Sequence, residues 1–354
     1  MTWGDPEVTC EIEYLNAHIR GGAGRLLPEE SVAALFGATT RASWTAALRD
    51  TPYSIHLGPV AGDQDSRLFF RAVDQSIAHR THRLGHLVNG RPGLALSVCL
   101  SEWDLSNLLG IVSGICNSAQ PAQIIPATVA GGLLGPDQME TLSHCRTLPQ
   151  AADFLRLWRF PKQALVHEVF FGFQDMSLPQ IRLELSRRWH GQLLKDARQA
   201  GFRALIRLMS ERIDQINIMT ALMWRVLPSD RDPVEFFLEG GSAVDLRTFR
   251  KALAAPDILE AISALTAGRL RSVLQAAAVI GPDGEERISA LHQALENELT
   301  HRYSRPLVRD PLGIELMISF LLRLRREGIR IKLSLTRLIY DIPRDIFLEM
   351  TGYV

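Results

Sequence analysis

Leu105, Leu108, Leu109 and Val112 fall at positions i, i+3, i+4 and i+7, and Ile331, Leu335, Leu338 and Ile339 make a similar stripe near the C-terminus. Apolar residues at that spacing cover one face of an α-helix, and no comparable period-2 set competes with them, so the chain is predicted to be all-α. With 354 residues and 46% hydrophobic content it can bury two or three cores of ordinary domain size.

The punctuation agrees with helices. Asp232 precedes Pro233, with Glu235 close behind, and Asp310 precedes Pro311. Each pair places a capping side chain before a proline at the first helical position, where the missing N–H costs nothing. Gly281-Pro282-Asp283-Gly284 is predicted as an exposed turn between two helices. From Leu105 to Pro136 there is no charge, but Asn107, Asn117, Gln120 and Gln123 interrupt the run. That pattern predicts a buried helix followed by a turn rather than a membrane span.

Charge and cysteines narrow the partners. Lys plus Arg and Asp plus Glu both count 39, so the molecule as a whole offers no basic footprint for nucleic acid or for an anionic membrane. Cys10, Cys99, Cys116 and Cys145 form no C-x-x-C pair, which suits reduced, mostly buried thiols in a cytosolic protein. Asp5, Glu7, Glu11 and Glu13 stand where a secretory signal would need a basic end and an apolar run.

The chain is also weakly repetitive. Asp104-Leu105-Ser106-Asn107 resembles Asp214-Gln215-Ile216-Asn217 at an offset of 110 residues, and Glu13-Tyr14-Leu15-Asn16 has the same acidic-x-x-Asn form. A proline with a paired apolar step follows: Pro121 with Ile124 and Ile125, Pro233 with Phe236 and Phe237, Pro343 with Ile346 and Phe347. Pro28 with Ser31 and Val32 is a poorer copy. Gly131-Gly132 and Gly240-Gly241 mark one place in two of the units. The division this predicts is a first helical repeat domain at 1–98, a second at 99–208, and a third at 209–354 that includes a truncated C-terminal copy.

These residues resemble a known family. Tyr14-Leu15-Asn16-Ala17-His18-Ile19-Arg20-Gly21, then Asp50-Thr51-Pro52-Tyr53, the two acidic-x-x-Asn helices and Asp310-Pro311-Leu312-Gly313-Ile314 are similar, in order, to the C subunit of archaeal and bacterial A/V-type ATPases, called the d subunit in the eukaryotic enzyme. The pattern departs at Lys332-Leu333-Ser334-Leu335, where the family usually has an Asn-Leu pair, and around His82. The resemblance implies three similar helical domains in a pseudo-threefold funnel that seats the central shaft on the membrane ring. It implies no catalytic residue, cofactor or metal in this chain, a cytoplasmic position peripheral to the membrane, and shaft and ring subunits as partners, with ATP and ions bound elsewhere.

No segment completes a familiar catalytic motif. Gly21-Gly22-Ala23-Gly24-Arg25 lacks the Lys and hydroxyl of a phosphate-binding loop. Gly110-Ile111-Val112-Ser113-Gly114 has the wrong spacing for a nucleophile elbow and falls inside a predicted helix, where Ser113 would allow close packing. His79, His82 and His86 share a helical face that could offer imidazoles to a metal, yet no acid completes a site. The plainer expectation is a solvated basic face with Arg71, Arg80 and Arg83. Asp104 and Asp214 are expected as dipole or capping partners in early helical turns, and Asn16, Asn107 and Asn217 as packing residues. Buried asparagines on apolar stripes need partners, and the backbone of a neighbouring helix would supply them. Arg323, Arg325, Arg326 and Arg330, with Lys332 and Arg337, form a local basic excess that is a possible partner contact or a solvated face. Two rival readings remain at this point: a helical-repeat scaffold unrelated to ATPases, and an enzyme built on the histidines.

Overall fold

A computed structural model describes residues 6–21, 26–63, 65–172, 177–226, 232–279, 285–304, 313–344 and 347, and every regular element among them is helical. In chain order these are α1 (Pro6–Arg20), α2 (Glu29–Gly37), α3 (Arg41–Ala46), α4 (Ser54–Leu57), α5 (Ser66–Gly85), α6 (Gly90–Cys116), α7 (Pro121–Ile124), α8 (Pro136–Ser143), α9 (Leu148–Leu157) and α10 (Gln163–Gly172). They continue with α11 (Leu178–Ala200), α12 (Arg203–Val226), α13 (Leu246–Leu253), α14 (Ile258–Leu265), α15 (Gly268–Val279), α16 (Glu285–Ser304) and α17 (Glu315–Ile339). The turn expected at 281–284, the glycines 22–25 and residues 310–312 lie outside the described residues.

Side-chain caps set many of the helix starts. Thr40, Asp65, Thr147, Asp245 and Asp257 accept the backbone N–H of Ser43, Arg67, Gln150, Thr248 and Glu260 respectively. Each satisfies an N–H that the helix itself leaves open, at about 1 kcal/mol per cap. Helix α11 stops where Gly201, at φ +78°, turns the chain left-handed and returns its N–H to the Ala197 carbonyl. Asp232 does cap Pro233, but the product is a 3-10 turn over Pro233–Phe236 rather than an α-helix. Phe236 is buried there, and the next turn cannot form because the Leu238 N–H is given to Asn217 instead.

Two compact units form. Unit 1 comprises Met1–Leu178 with Pro306–Val354, and unit 2 comprises Pro179–Arg305. The copy boundaries expected at 98/99 and 208/209 fall inside the continuous helices α6 and α12, because the acidic-x-x-Asn signature that anchors each copy lies well along its helix rather than at the start.

In unit 1, Trp44, Phe69, Trp103, Leu108, Ile111 and Leu155 are fully or almost fully buried, and α17 lies against α1, α2, α5 and α6. Helix α6 is long and apolar enough to span a membrane by composition, but most of its apolar window is buried inside the unit, as a core helix. Gly114, rather than Ser113, is its close-packing residue: a β-carbon there would overlap the Ile124 side chain. In unit 2, Leu222, Phe249, Ile262, Leu274 and Leu291 are completely buried between α12 and the helices α13 to α16. Cys99 and Cys145 are buried free thiols and Cys116 is an exposed one.

Candidate functional site

The repeated acid and amide build the same device twice. In unit 1, Asn107 donates from Nδ2 to the Val129 carbonyl at 2.9 Å and accepts the Val129 N–H on Oδ1 at 2.9 Å. One turn earlier, Asp104 accepts the Leu133 N–H at 2.9 Å and the Leu134 N–H at 3.0 Å. In unit 2, Asn217 exchanges the same two bonds with Leu238, at 2.8 and 2.9 Å. Asp214 accepts the backbone N–H groups of Ser242, Ala243 and Val244 and the Ser242 hydroxyl. Each pair therefore holds an irregular connection whose backbone groups would otherwise be buried without partners, a loss of about 1–3 kcal/mol apiece.

The bonds go to loops rather than to a neighbouring helix, and both acids sit in mid-helix rather than in an early turn. A loop has free N–H groups to give, whereas a helix has spent its own. The glycine pairs now have a reason. A β-carbon on Gly132 would overlap the Asp104 carboxylate, and one on Gly241 would overlap that of Asp214. Burial pushes the Asp104 carboxyl up to about 7, against the pull of the Leu134 and Leu133 N–H groups.

A third clamp joins the two ends of the chain. Glu327 on α17 stands 110 residues beyond Asn217 and accepts the Leu27 N–H, in the segment just before α2. The same carboxylate accepts the Tyr53 hydroxyl at 2.8 Å and pairs with Arg80 at 3.0 Å. Burial, and then the Glu327 charge, hold the Tyr53 phenol well above its usual value, so it stays a donor. Five residues on, Lys332 gives its three N–H bonds to Asp74 Oδ2 at 2.7 Å, the Ile125 carbonyl at 3.0 Å and the Thr128 carbonyl at 2.6 Å. Asp74 also accepts the Ala130 N–H. Burial pushes the Asp74 carboxyl up and the Lys332 ammonium down, and each counters the shift of the other. Asn16 on α1 reaches the same helix, donating to the Gly313 carbonyl at 2.8 Å just ahead of it.

The apolar step near Pro343 belongs to this join as well. Phe347 packs on Val32 and Phe36, with ring centroids of Phe36 and Phe347 6.2 Å apart. Ile346 lies outside the described residues. The poor copy at Pro28 and the truncated copy at the C-terminus thus meet in one place.

Two expectations about charge are corrected. Arg80 does not lie on a solvated face: it continues the inward stripe of Val73, Ile77 and Leu84 and is buried against Glu327. His79, His82 and His86 are exposed, and among the described residues no group of three His, Cys, Asp or Glu side chains could hold a metal ion. Lys332 is likewise interior, next to Ile331 and Leu335 on the inward stripe of α17. Of the four arginines singled out as partner contacts, Arg323 is exposed. Arg325 donates to the Ser106 hydroxyl, Arg326 is half-buried, and Arg330 pairs with Glu29 at 2.7 Å with its side chain only 12% exposed. Glu327 with Tyr53 and Lys332 with Asp74 form two buried polar groups along α17, and residue patterns alone did not pick them out as a set.

The family model for the ATP synthase (C/AC39) subunit matches residues 15–350. The chain belongs to that family. It is 23% identical over 349 residues to the C subunit of the A-type ATP synthase of Thermococcus kodakarensis, covering 96% of this chain and 90% of the relative. It is 24% identical over 335 residues to the C subunit of a V-type ATP synthase of Thermus thermophilus, covering 94% of this chain and 96% of the relative. A member of the C/AC39 family is a subunit of a rotary ATP synthase complex, and the three clamps stand within the matched span.

Proposed function

We propose that this chain is the central-stalk coupling subunit of an A/V-type rotary ATPase, seating the rotor shaft on the membrane ring while ATP and the transported proton or sodium ion are handled by other subunits. The observation that carries the reading is the family match across residues 15–350, with relatives named as C subunits matching along nearly their whole length. In this reading the protein is non-catalytic, lies on the cytoplasmic side, and is held to the membrane through its complex.

The clamps support a mechanical role. Asn107, Asn217 and Glu327 recur every 110 residues, each accepting one loop N–H, and a device repeated at that interval suits similar helical domains about a pseudo-threefold axis. A part that transmits torque has to resist local opening, and loops fixed by buried hydrogen bonds do that better than loops held by surface contacts. The test is to recover the tagged chain from its own cells in mild detergent and identify its companions by mass spectrometry. Shaft and ring subunits are expected together; repeated recovery of other partners with no ATPase subunit overturns the proposal.

A further inference from the structure

A pocket of about 250 Å³ opens on unit 1 between α1, α4, α5 and α17. Its walls are apolar, formed by Pro52, Ile55, Leu84 and Phe320, and its polar groups all belong to bases apart from the Ser76 hydroxyl, which is turned to the Ala72 carbonyl. His18 comes from α1, His56 from α4, and His79, Arg80 and Arg83 from α5. No carboxylate stands among its described lining residues. Glu327 lies behind Arg80 and is committed to it, to Tyr53 and to Leu27, while Phe320, the α17 contribution, brings no charge. Arg83 is exposed and enters no ion pair among the described residues.

The His56 and His79 rings stand 6.2 Å apart, centroid to centroid, a spacing at which two imidazolium ions repel and one anion can meet both. Burial, and then His79, already hold the His56 imidazole below its usual value. A cation would meet Arg83 and two imidazoles, and a bare oxyanion would leave the apolar walls uncovered. The volume lies just under the range of about 300–1,000 Å³ typical of drug-sized sites, which leaves room for one short acid.

We infer that this pocket binds a carboxylate carried on a short apolar stem, supplied either by a free organic acid or by a glutamate side chain of another polypeptide. The His56, His79 and Arg83 donors meet the carboxylate, and Pro52, Ile55, Leu84 and Phe320 cover the stem. The inference goes beyond the rotary assignment and does not depend on it.

The test is calorimetric titration of the full-length chain with four probes: hexanoate, hexanamide, inorganic phosphate, and an acetylated, amidated Ala-Leu-Glu-Leu-Ala peptide. Hexanoate or the peptide is expected to bind at least about tenfold tighter than hexanamide and phosphate, and the double variant H56Q/R83Q to weaken that binding by about tenfold or more. Neither side chain is buried, so helix content by circular dichroism should not change. Binding should also weaken as the pH is raised and the His56 imidazole, already held below its usual value, loses its proton. Tighter binding of the peptide assigns the carboxylate to a protein partner, and tighter binding of hexanoate assigns it to a free acid. Failure of both hexanoate and the peptide to bind at least about tenfold tighter than hexanamide and phosphate, or an unchanged double variant, overturns the inference.

Discussion

Asn217 is completely buried, and both ends of its amide are used on Leu238. Replacing it with Leu keeps the branched outline, in a bulkier side chain, but leaves one backbone N–H and one carbonyl buried and unpaired. Asn217→Leu should therefore destabilise the protein by about 2–4 kcal/mol, read as a lower denaturant midpoint. Asp104 makes a different prediction. Its folded carboxyl sits at about 7, above the ordinary value of 3.8, so folding takes up a proton between those limits. Its contribution is full below the unfolded value and is lost as pH rises through about 7. Relative to Asp104→Asn, the wild-type chain should lose up to about 4 kcal/mol of stability between about pH 4 and pH 8. Urea titrations of both proteins across that window check this, and a constant difference would refute it. At this scale the sequence was partly legible. The acidic-x-x-Asn spacing and the glycine pairs stood out, but the partner of each acid is a loop some thirty residues away, which no helical period encodes.

Helix α17 shows where pattern reading stops. Its apolar stripe announces a helix, and Lys332 on that stripe reads as a departure from the family and one more surface base. In the fold it is 1% exposed and fixes α17 to α5 and to the connection 125–130. Only the positions of Asp74, Ile125 and Thr128 turn a buried lysine from a fault into a tie, and those contacts span more than two hundred residues. Lys332→Met should cost about 3–5 kcal/mol because it strands the Asp74 carboxyl. Pairing it with Asp74→Asn should cost less than the two single losses added together, a coupling of about 1 kcal/mol or more in a double-mutant cycle. Additive losses would mean that Lys332 acts through packing alone. Glu327 escaped notice for a related reason. A carboxylate stands where the other copies carry an amide, so the third clamp does not match the signature even though it accepts the same kind of bond.

For the whole molecule, the helical class and the family were legible from end to end, because apolar periodicity and short ordered motifs are local properties. The joining of the N-terminal loop to the C-terminal helix was not, since Leu27 and Glu327 are 300 residues apart. That joining decides what the C-terminal arginines can do. Arg330 is held by Glu29, so Arg330→Glu places two carboxylates together between α2 and α17 and should lower stability by about 1–2 kcal/mol. Arg323 is exposed on the same helix, so Arg323→Glu should leave helix content and melting temperature within the error of the wild type. If the basic face of α17 meets an acidic surface of the complex, Arg323→Glu should still reduce recovery of partner subunits in a detergent pull-down, more steeply at low salt than at high salt. Asn217→Leu should show the opposite pattern, with a lower melting temperature and near-normal recovery below it. Equal recovery with both variants would remove Arg323 from the interface and leave the docking surface to be sought away from α17.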